Sequence, residues 1–561
     1  MKQKKFLTLI LLSLIVLIGL IIRLHYFDSD IEPVSDESEY LVMAQSFSNG
    51  EIMAQWPYYR PFLIPMIWGL MGKVGAGIPL FILTIIFSSL ISIILVYFIG
   101  KDLFNEQVGL IAAFLMAFFP EDIAHSLRPL LNSIALTLWL LCLYLFQKAY
   151  YKNSNKLLYA TAVITGLSIL AYTQTIILLG FYLIFLLIFE GKEFIKKLKY
   201  ISFFVIIIMI YLFNLVYSYI WFDNPIKSFA YGLWLSYYDT HSRSYLSVII
   251  DFFKYTPHYI SWILIPVILA SAVILVYYLI KILKSFNKYK LKDIKLILIS
   301  ALLTAVLFLI IKNFIDPAKF TDPKLNVLYY GTNTLVTIIF GIIILFILRK
   351  FFNDISDFLR KNKEIQKHIF LGLWIIVGLF GVAKMVGAFQ ARYFMQAVIP
   401  FFFYTGFFVT FLYEKLSKYK SYYLTVLIII VLFFAYSNIA YTTQLSESLN
   451  TQSNTKEIGL WINENTDNTD IIIGPRNNAI SYFSSRKWYT YPDSRRFDSG
   501  DYETFLSVIK EIKPSILVAQ PGDNDGVYIL YEEFITKNNE RVKLLKSFND
   551  KNETISIYSI L

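Results

Sequence analysis

The stretch FLTLILLSLIVLIGLIIRL, residues 6–24, is an apolar run whose one ionisable residue, Arg23, lies close to its end. A helix needs about 20 apolar residues to cross the hydrocarbon core of a bilayer, and this run is long enough. Arg23 and His25 stand where a cleaved signal would need small residues. The run therefore predicts a transmembrane helix that is retained in the protein.

Comparable apolar runs recur through most of the chain and predict about thirteen spans. They cover residues 78–99, 108–119, 129–146, two segments on either side of 173–175, and segments centred near Ile208, Ala270, Ala305, Ile339, Val377, Tyr404 and Ile429. Of the 561 residues, 57% are hydrophobic and 16% are charged, against roughly a quarter charged in soluble proteins. The composition excludes a disordered chain, and the single cysteine, Cys142, excludes a disulfide-built module. We predict a polytopic α-helical membrane protein.

The distribution of Lys and Arg predicts the orientation in the cell membrane, because short cytoplasmic loops collect them. With the N-terminus inside, the cytoplasmic segments hold about 26 basic residues and the longer outer loops about 12. The formal charge of +11 therefore indicates topology. No outer surface is basic overall, so the sequence predicts no nucleic-acid partner.

The composition changes after Tyr441, and residues 442–561 are predicted to form a soluble extracytoplasmic α/β domain beside the membrane domain of residues 1–441. Strand-like runs lie at 470–474, 515–519, 527–531 and 554–560. Amphipathic stretches at 456–465 and 502–513 predict helices between them.

The first outer loop, residues 25–77, is acidic and aromatic, and it carries the unusual polar content of the membrane domain. Ser35 or Asp36 is predicted to cap a helix that starts at Glu37, with Tyr40, Val42, Met43 and Phe47 on its apolar face. A helix of this kind would lie along the outer membrane surface. It would place Asp36 and Glu37 where an amphiphilic substrate has its head group.

Several short motifs of the chain resemble those of the GT-C glycosyltransferases, above all the protein O-mannosyltransferases and the lipid A aminoarabinose transferases. The resemblance rests on Asp36-Glu37-Ser38-Glu39-Tyr40, Ala44, Gly50, Tyr59-Arg60-Pro61, Pro65, Pro120-Glu121-Asp122, Ala391-Arg392-Tyr393 and Pro400. It implies a sugar donor carried on a polyprenyl phosphate. It also implies a hydroxyl acceptor on a protein, glycolipid or cell-wall polymer at the outer face, with membrane lipid around the protein.

The resemblance implies that Asp36 is the catalytic base, with Glu37 beside it as a second catalytic candidate. A hydroxyl nucleophile needs a carboxylate within hydrogen-bond reach, and arginines suit the phosphate of the leaving group. The predicted substrate-binding residues are Arg60, Arg392, Tyr393, Glu121, Asp122, Tyr59, Trp56 and Tyr40. Each has a structural alternative: the acids would serve helix termini, the arginines lipid head groups, and the aromatic residues an interfacial belt.

The sequence predicts no metal site and no obligatory cofactor, although a divalent ion stays open because some relatives use one. Asp28-Ser29-Asp30 precedes the matched motif, and the histidines lack ligand spacing. The main alternative function is a transporter or flippase that moves a lipid-linked glycan without chemistry. It predicts ionisable residues at mid-membrane, and the spans are almost free of them. A non-catalytic membrane scaffold is a third interpretation.

Overall fold

The computed structural model describes residues 2–54, 60–191, 193–228, 249–254, 362–385, 390–415, 420–449, 454–474, 477–490, 502–520, 525–550 and 553–561. The spans predicted near Ala270, Ala305 and Ile339 lie outside the described residues, as do Trp56 and Tyr59.

Helices make up the described part of the membrane domain. Their bounds are α1 Lys2–His25, α2 Asp36–Asn49, α3 Leu63–Gly72, α4 Ile78–Leu103, α5 Glu106–Ala117, α6 Pro120–Ser126, α7 Asn132–Tyr151, α8 Asn155–Ala171, α9 Ile177–Glu190, α10 Glu193–Lys196, α11 Leu198–Tyr211, α12 Phe213–Phe222, α13 Lys363–Met385, α14 Met395–Lys415 and α15 Lys420–Leu449. Short 3-10 helices, Thr173–Ile176 and Ala391–Phe394, lead into α9 and α14.

Within the described ranges, 8 helical segments are long and apolar enough to cross a membrane, or up to 9 if the bent pair α5 and α6 forms one span. Every predicted span that falls in these ranges coincides with an apolar helix, the segment before Thr173 being the shorter helix α8. The chain is thus a multi-pass helical membrane protein with a small mixed sheet at its C-terminal end, as predicted.

Helices α4 and α5 approach most closely where two glycines face each other. A Cβ atom on Gly109 would lie 2.6 Å from the Tyr97 carbonyl oxygen, and one on Gly100 would lie 2.9 Å from the Gly109 Cα. Neither helix can accept a side chain there without moving its backbone. This packing fixes α5, and therefore the turn that leads into α6.

We expect Gly109→Ala to destabilise the protein by about 1–3 kcal/mol, since the new methyl group overpacks the α4–α5 contact. Gly180→Ala is the matched control, because a Cβ atom at Gly180 would meet nothing within 4 Å among the described residues. Thermal unfolding of both variants in detergent should show a lower Tm for Gly109→Ala only. Equal Tm values would mean that α4 and α5 can move apart to accept the methyl group without a loss of stability.

The C-terminal domain is built on a five-stranded sheet of order β2-β1-β3-β5-β4. The strands are β1 Ile471–Gly474, β2 Lys487–Thr490, β3 Ile516–Ala519, β4 Val542–Asp550 and β5 Glu553–Ile560, and the helices are α16 Thr455–Asn465, α17 Asn478–Ser484, α18 Tyr502–Ile512 and α19 Asp525–Lys537. Strands β2, β1 and β3 are parallel, and β5 pairs antiparallel with both β3 and β4. Helix α15 runs across position 442, where the composition changes.

The predicted strands at 470–474, 515–519 and 554–560 and both predicted helices of this domain are confirmed. The strand predicted at 527–531 is wrong, because those residues lie in α19. Tyr531 and Phe534, three residues apart, face one hydrophobic cluster together with Phe505, which is helical spacing. The short apolar run alone did not distinguish the two structures.

The C-terminal domain packs directly on α2. Val42 and Ala54 of the first loop belong to the same buried cluster as Ile458, Ile480 and Trp488 of that domain. The Trp488 amide donates to the Met53 carbonyl oxygen at 2.7 Å. Helix α2 is therefore held between the helical bundle and the C-terminal domain, which fixes the position of its acidic first turn.

Candidate functional site

Helix α2 begins one residue earlier than predicted, and its first turn is not capped by a side chain. Ser35 occupies the N-cap position with φ 45° and makes no side-chain capping bond. The Asp36 carboxylate is directed toward two arginines. The predicted capping role is therefore wrong for Ser35, whose positive φ is uncommon for a residue other than glycine.

The Asp36 carboxylate lies between Arg60 and Arg392. Its Oδ1 pairs with Nη2 of Arg60, and its Oδ2 accepts from Nη2 of Arg392 at 2.8 Å. The side chains of Asp36 and Arg392 are each 19% exposed and that of Arg60 is 15% exposed. The cluster is therefore partly accessible to solvent. The fold thus brings together three predicted site residues, two of which are 356 positions apart.

Arg60 is oriented by two further residues of α2. Its Nε donates to Oε2 of Glu39 at 2.6 Å, and its guanidinium carbon lies 5.3 Å from the centre of the Tyr40 ring. Glu39 was not among the predicted site residues. The signal that could have found it is its position one helical turn from Asp36, where both carboxylates reach the same cation.

Arg392 reaches the site from the 3-10 helix Ala391–Phe394. Its Nη2 also donates to the Tyr393 hydroxyl at 3.3 Å, and its guanidinium carbon lies 5.1 Å from the centre of that ring. Its Nε is buried and has no hydrogen-bond partner in the described part of the chain. Arg392 therefore keeps an unused donor beside the carboxylate it binds.

Burial and the two arginines act in opposite directions on Asp36. Burial raises the pKa of Asp36, but the charges and hydrogen bonds of Arg60 and Arg392 outweigh it and hold that pKa below its ordinary value. For Tyr40, burial raises the pKa of the hydroxyl well above its ordinary value. At neutral pH the site thus contains an ionised Asp36 beside a neutral tyrosine.

Glu37 points away from this cluster and binds Arg128 in the turn after α6. Arg128 Nε and Nη2 donate to the two Glu37 oxygens at 2.9 and 2.7 Å, and both side chains are buried. Arg128 also donates to the Glu32 carbonyl oxygen at 2.7 Å. The structure therefore places Glu37, a predicted catalytic candidate, in a contact that ties the first loop to the bundle.

The two predicted acids of α6 lie in different surroundings. Asp122 is fully buried and pairs with Arg23 of α1 at 2.8 Å and with the hydroxyl of Ser89. Glu121 has an oxygen 3.4 Å from Nδ1 of His125 and lies within the electrostatic influence of Arg392. Since α6 packs against the 3-10 helix that carries Arg392, Glu121 lies on the side of the arginine cluster and Asp122 faces the bundle interior.

A cavity of about 450 Å³ lies on another face of α2, between the N-terminal end of α4 and the C-terminal domain. Gln45, Asn463 and Tyr482 line it, and Asp36, Arg60 and Arg392 do not. In the described ranges no three His, Cys, Asp or Glu side chains are grouped to hold a metal ion. Asp30, of the acidic triplet, pairs with Lys456 of the C-terminal domain.

Comparisons with known proteins agree with this architecture. Residues 57–217 match the model of a family described as dolichyl-phosphate-mannose-protein mannosyltransferase. No curated protein sequence matches the chain significantly.

Solved structures resemble the chain over most of its length. ArnT from Cupriavidus metallidurans bound to undecaprenyl phosphate is 11% identical, with a TM-score of 0.59 over 97% of each chain. The archaeal oligosaccharyltransferase AglB from Archaeoglobus fulgidus, solved with an inhibitory peptide and a dolichol-phosphate, is 13% identical. Its TM-score is 0.52 over 92% of this chain and 69% of its own. At identities this low the structural similarity establishes the fold alone. That fold agrees with the resemblance carried by the motifs. The chain is therefore a multi-pass membrane protein with the fold of the GT-C glycosyltransferases.

Proposed function

We propose that the protein transfers a sugar from a polyprenyl-phosphate donor to a hydroxyl acceptor at the outer face of the membrane. The observation that carries this proposal is the convergence of Asp36, Arg60 and Arg392 at one partly exposed site. A carboxylate beside two arginines supplies both a base for the acceptor and a binding site for a phosphate. The match to a mannosyltransferase family and the lipid phosphates bound to the similar structures support the choice of donor.

The reaction is a direct displacement at the anomeric carbon. The acceptor oxygen forms a bond to C1 of the sugar, and the bond between C1 and the phosphate oxygen breaks with inversion. The acceptor proton passes to Asp36, and the polyprenyl phosphate leaves with the bonding electron pair. The leaving phosphate gains one negative charge, so fixed cations beside it lower the barrier. Arg60 and Arg392 would provide these cations, and Glu121 would form the edge of the site on the side of α6.

The C-terminal domain would close the site from the outside and help to position the acceptor. Its contacts with α2 support this role, because they hold the helix that carries Asp36. The outward orientation is supported by the excess of Lys and Arg in the loops predicted to be cytoplasmic. The acceptor stays open among a protein, a glycolipid and a cell-wall polymer.

The function can be tested by incubating the purified full-length protein in lipid nanodiscs with a panel of radiolabelled polyprenyl-phosphate sugars and acceptor extracts. We expect at least one sugar to move to a hydroxyl acceptor, with release of polyprenyl phosphate. The same donors in sealed vesicles test the flippase alternative. Movement of intact donor across the bilayer without any glycosylated product would contradict the proposal.

Arg392→Lys should lower kcat/KM for the donor by about 10–100-fold, because lysine keeps the charge but lacks the planar fork that grips a phosphate. Arg541→Lys, at an exposed position of the C-terminal domain, is the matched control and should leave kcat/KM unchanged. Steady-state kinetics with varied donor concentration would measure both variants. Equal loss in both would show that the assay responds to arginine content in general and would contradict a specific role.

A further inference from the structure

The two arginines of the site differ in the number of carboxylates with which they form ion pairs. Arg60 pairs with both Asp36 and Glu39. For Arg392, Asp36 is the one carboxylate partner within the described residues. If the Asp36 carboxylate moved away, Arg60 would keep Glu39, whereas Arg392 would lose its carboxylate.

Arg392 is also the better prepared of the two to receive an anion. Its buried Nε has no hydrogen-bond partner in the described ranges, and its Nη2 is the donor that Asp36 now occupies. A guanidinium offers such donors as a planar fork, which fits two oxygens of one phosphate. The Nε and Nη2 groups form one edge of that fork.

We propose that Asp36 occupies the place on Arg392 that the donor's phosphate takes, so that binding of the donor releases the base. This inference rests on the proposed function. When the phosphate binds Arg392, the Asp36 carboxylate loses a hydrogen bond and a neighbouring positive charge. It becomes a stronger proton acceptor, and one of its oxygens is free to meet the acceptor hydroxyl.

The exchange explains how a carboxylate held by two arginines can serve as a base. In the resting site the arginines stabilise the ionised form of Asp36, and this weakens its attraction for a proton. A donor phosphate that replaces the carboxylate on Arg392 removes part of that stabilisation. The order of events follows: the donor binds first, and the acceptor is deprotonated afterwards.

Competition between the carboxylate and the phosphate has a measurable consequence. The wild-type protein must break the Asp36–Arg392 hydrogen bond before it binds a lipid phosphate, so part of the binding energy is lost. Removing the carboxylate should therefore tighten the binding of undecaprenyl phosphate by about tenfold, the order of magnitude of one charged hydrogen bond. Removal of a negative charge that makes no contact with Arg392 should leave that affinity nearly unchanged.

The test is to measure Kd for undecaprenyl phosphate with the purified full-length protein and four variants. Asp36→Asn and Asp36→Ala should both bind about tenfold more tightly than the wild type. Arg392→Gln should bind more weakly, and Asp36→Asn combined with Arg392→Gln should lose the gain. Glu51→Gln, which removes one negative charge from the same outer loop and a pairing with Lys487, is the control and should leave Kd unchanged.

Equal or weaker binding by the folded Asp36 variants would overturn the exchange while leaving the proposed transfer intact. A gain that survives the loss of Arg392 would also overturn it, because the phosphate would then bind elsewhere. If the wild-type protein and all variants fail to bind undecaprenyl phosphate, the lipid-phosphate donor itself is wrong. Thermal unfolding of each variant identifies those that are folded. Two substitutions at Asp36 are used so that the test still stands if one of the two variants does not fold.

Discussion

Asp36→Asn should reduce the rate of sugar transfer by about 10²–10⁴-fold, the usual contribution of a positioned general base. Asparagine has nearly the same shape, and its one carbonyl oxygen can still accept from one of the two arginines, but it cannot take a proton. The transfer assay with the labelled donor measures the loss. Expression and membrane insertion should stay close to those of the wild type, because the substitution keeps the local volume, and thermal unfolding shows whether the variant is folded.

Asp30→Asn is the matched control for this prediction. Asp30 belongs to the same loop between α1 and α4 and also pairs with a basic residue, Lys456, but its side chain is 78% exposed. We expect its transfer rate to remain within about twofold of the wild type, as for other exposed ion pairs. Normal turnover by a folded Asp36→Asn protein would remove Asp36 from the catalytic role, whatever its affinity for lipid phosphate.

Rate and affinity should change in opposite directions in the Asp36 variants. If Asp36 is the base and also occupies the phosphate position, its removal gives a protein that binds lipid phosphate more tightly but transfers sugar far more slowly. If the carboxylate has a purely structural role, its removal should lower the transfer rate and the affinity for lipid phosphate together. Measuring kcat and Kd on the same preparations therefore separates the two interpretations of the Asp36–Arg392 contact.

The spans could be predicted from the sequence because a bilayer imposes one requirement on each of them, a helix of sufficient apolar length. The two motifs Tyr59-Arg60-Pro61 and Ala391-Arg392-Tyr393 likewise indicated Arg60 and Arg392, and the structure places both arginines beside the Asp36 carboxylate. The partners of Glu37 and Asp122 could not be predicted. Arg128 and Arg23 are 91 and 99 positions away from them, and such pairs are set by packing between elements.

The C-terminal domain shows where pattern reading fails. Strand β4, Val542–Asp550, was not predicted, because Lys543 and Lys546 interrupt its apolar residues. It is the edge strand of the sheet, and edge strands tolerate lysines that face solvent. The error at 527–531 has the opposite cause, since an apolar run of five residues fits a helix as well as a strand.

The charges inside the bundle differ from what the sequence indicates. The spans were interpreted as almost free of ionisable residues, yet Arg23 of α1 and Asp122 of α6 form a fully buried ion pair. Arg23 Nε donates to the Ser89 hydroxyl at 2.8 Å, and its Nη1 donates to the Gly19 carbonyl oxygen at 3.0 Å. The pair joins α1, α4 and α6, which makes a structural role its simplest explanation.

Arg23→Met should destabilise the protein by about 3–5 kcal/mol, the usual cost of removing one partner from a buried ion pair. Methionine fills much of the same volume, so the loss would come mainly from the Asp122 carboxylate. That group would keep Ser89, and its Oδ1 already lacks a hydrogen-bond partner among the described residues. Unfolding of the purified protein in detergent by heat or denaturant measures the change.

Arg23→Met combined with Asp122→Val should recover much of that stability, because no charge is then left buried and two apolar side chains of similar combined volume replace the pair. Lys101→Met, which breaks a partly exposed pair with Glu106 at 3.1 Å, should cost less than about 1 kcal/mol. A single Arg23 variant as stable as the Lys101 variant would mean that the buried pair contributes no more to stability than a partly exposed one. A double variant less stable than Arg23→Met would instead show that Asp122 contributes to the bundle through contacts other than this pair.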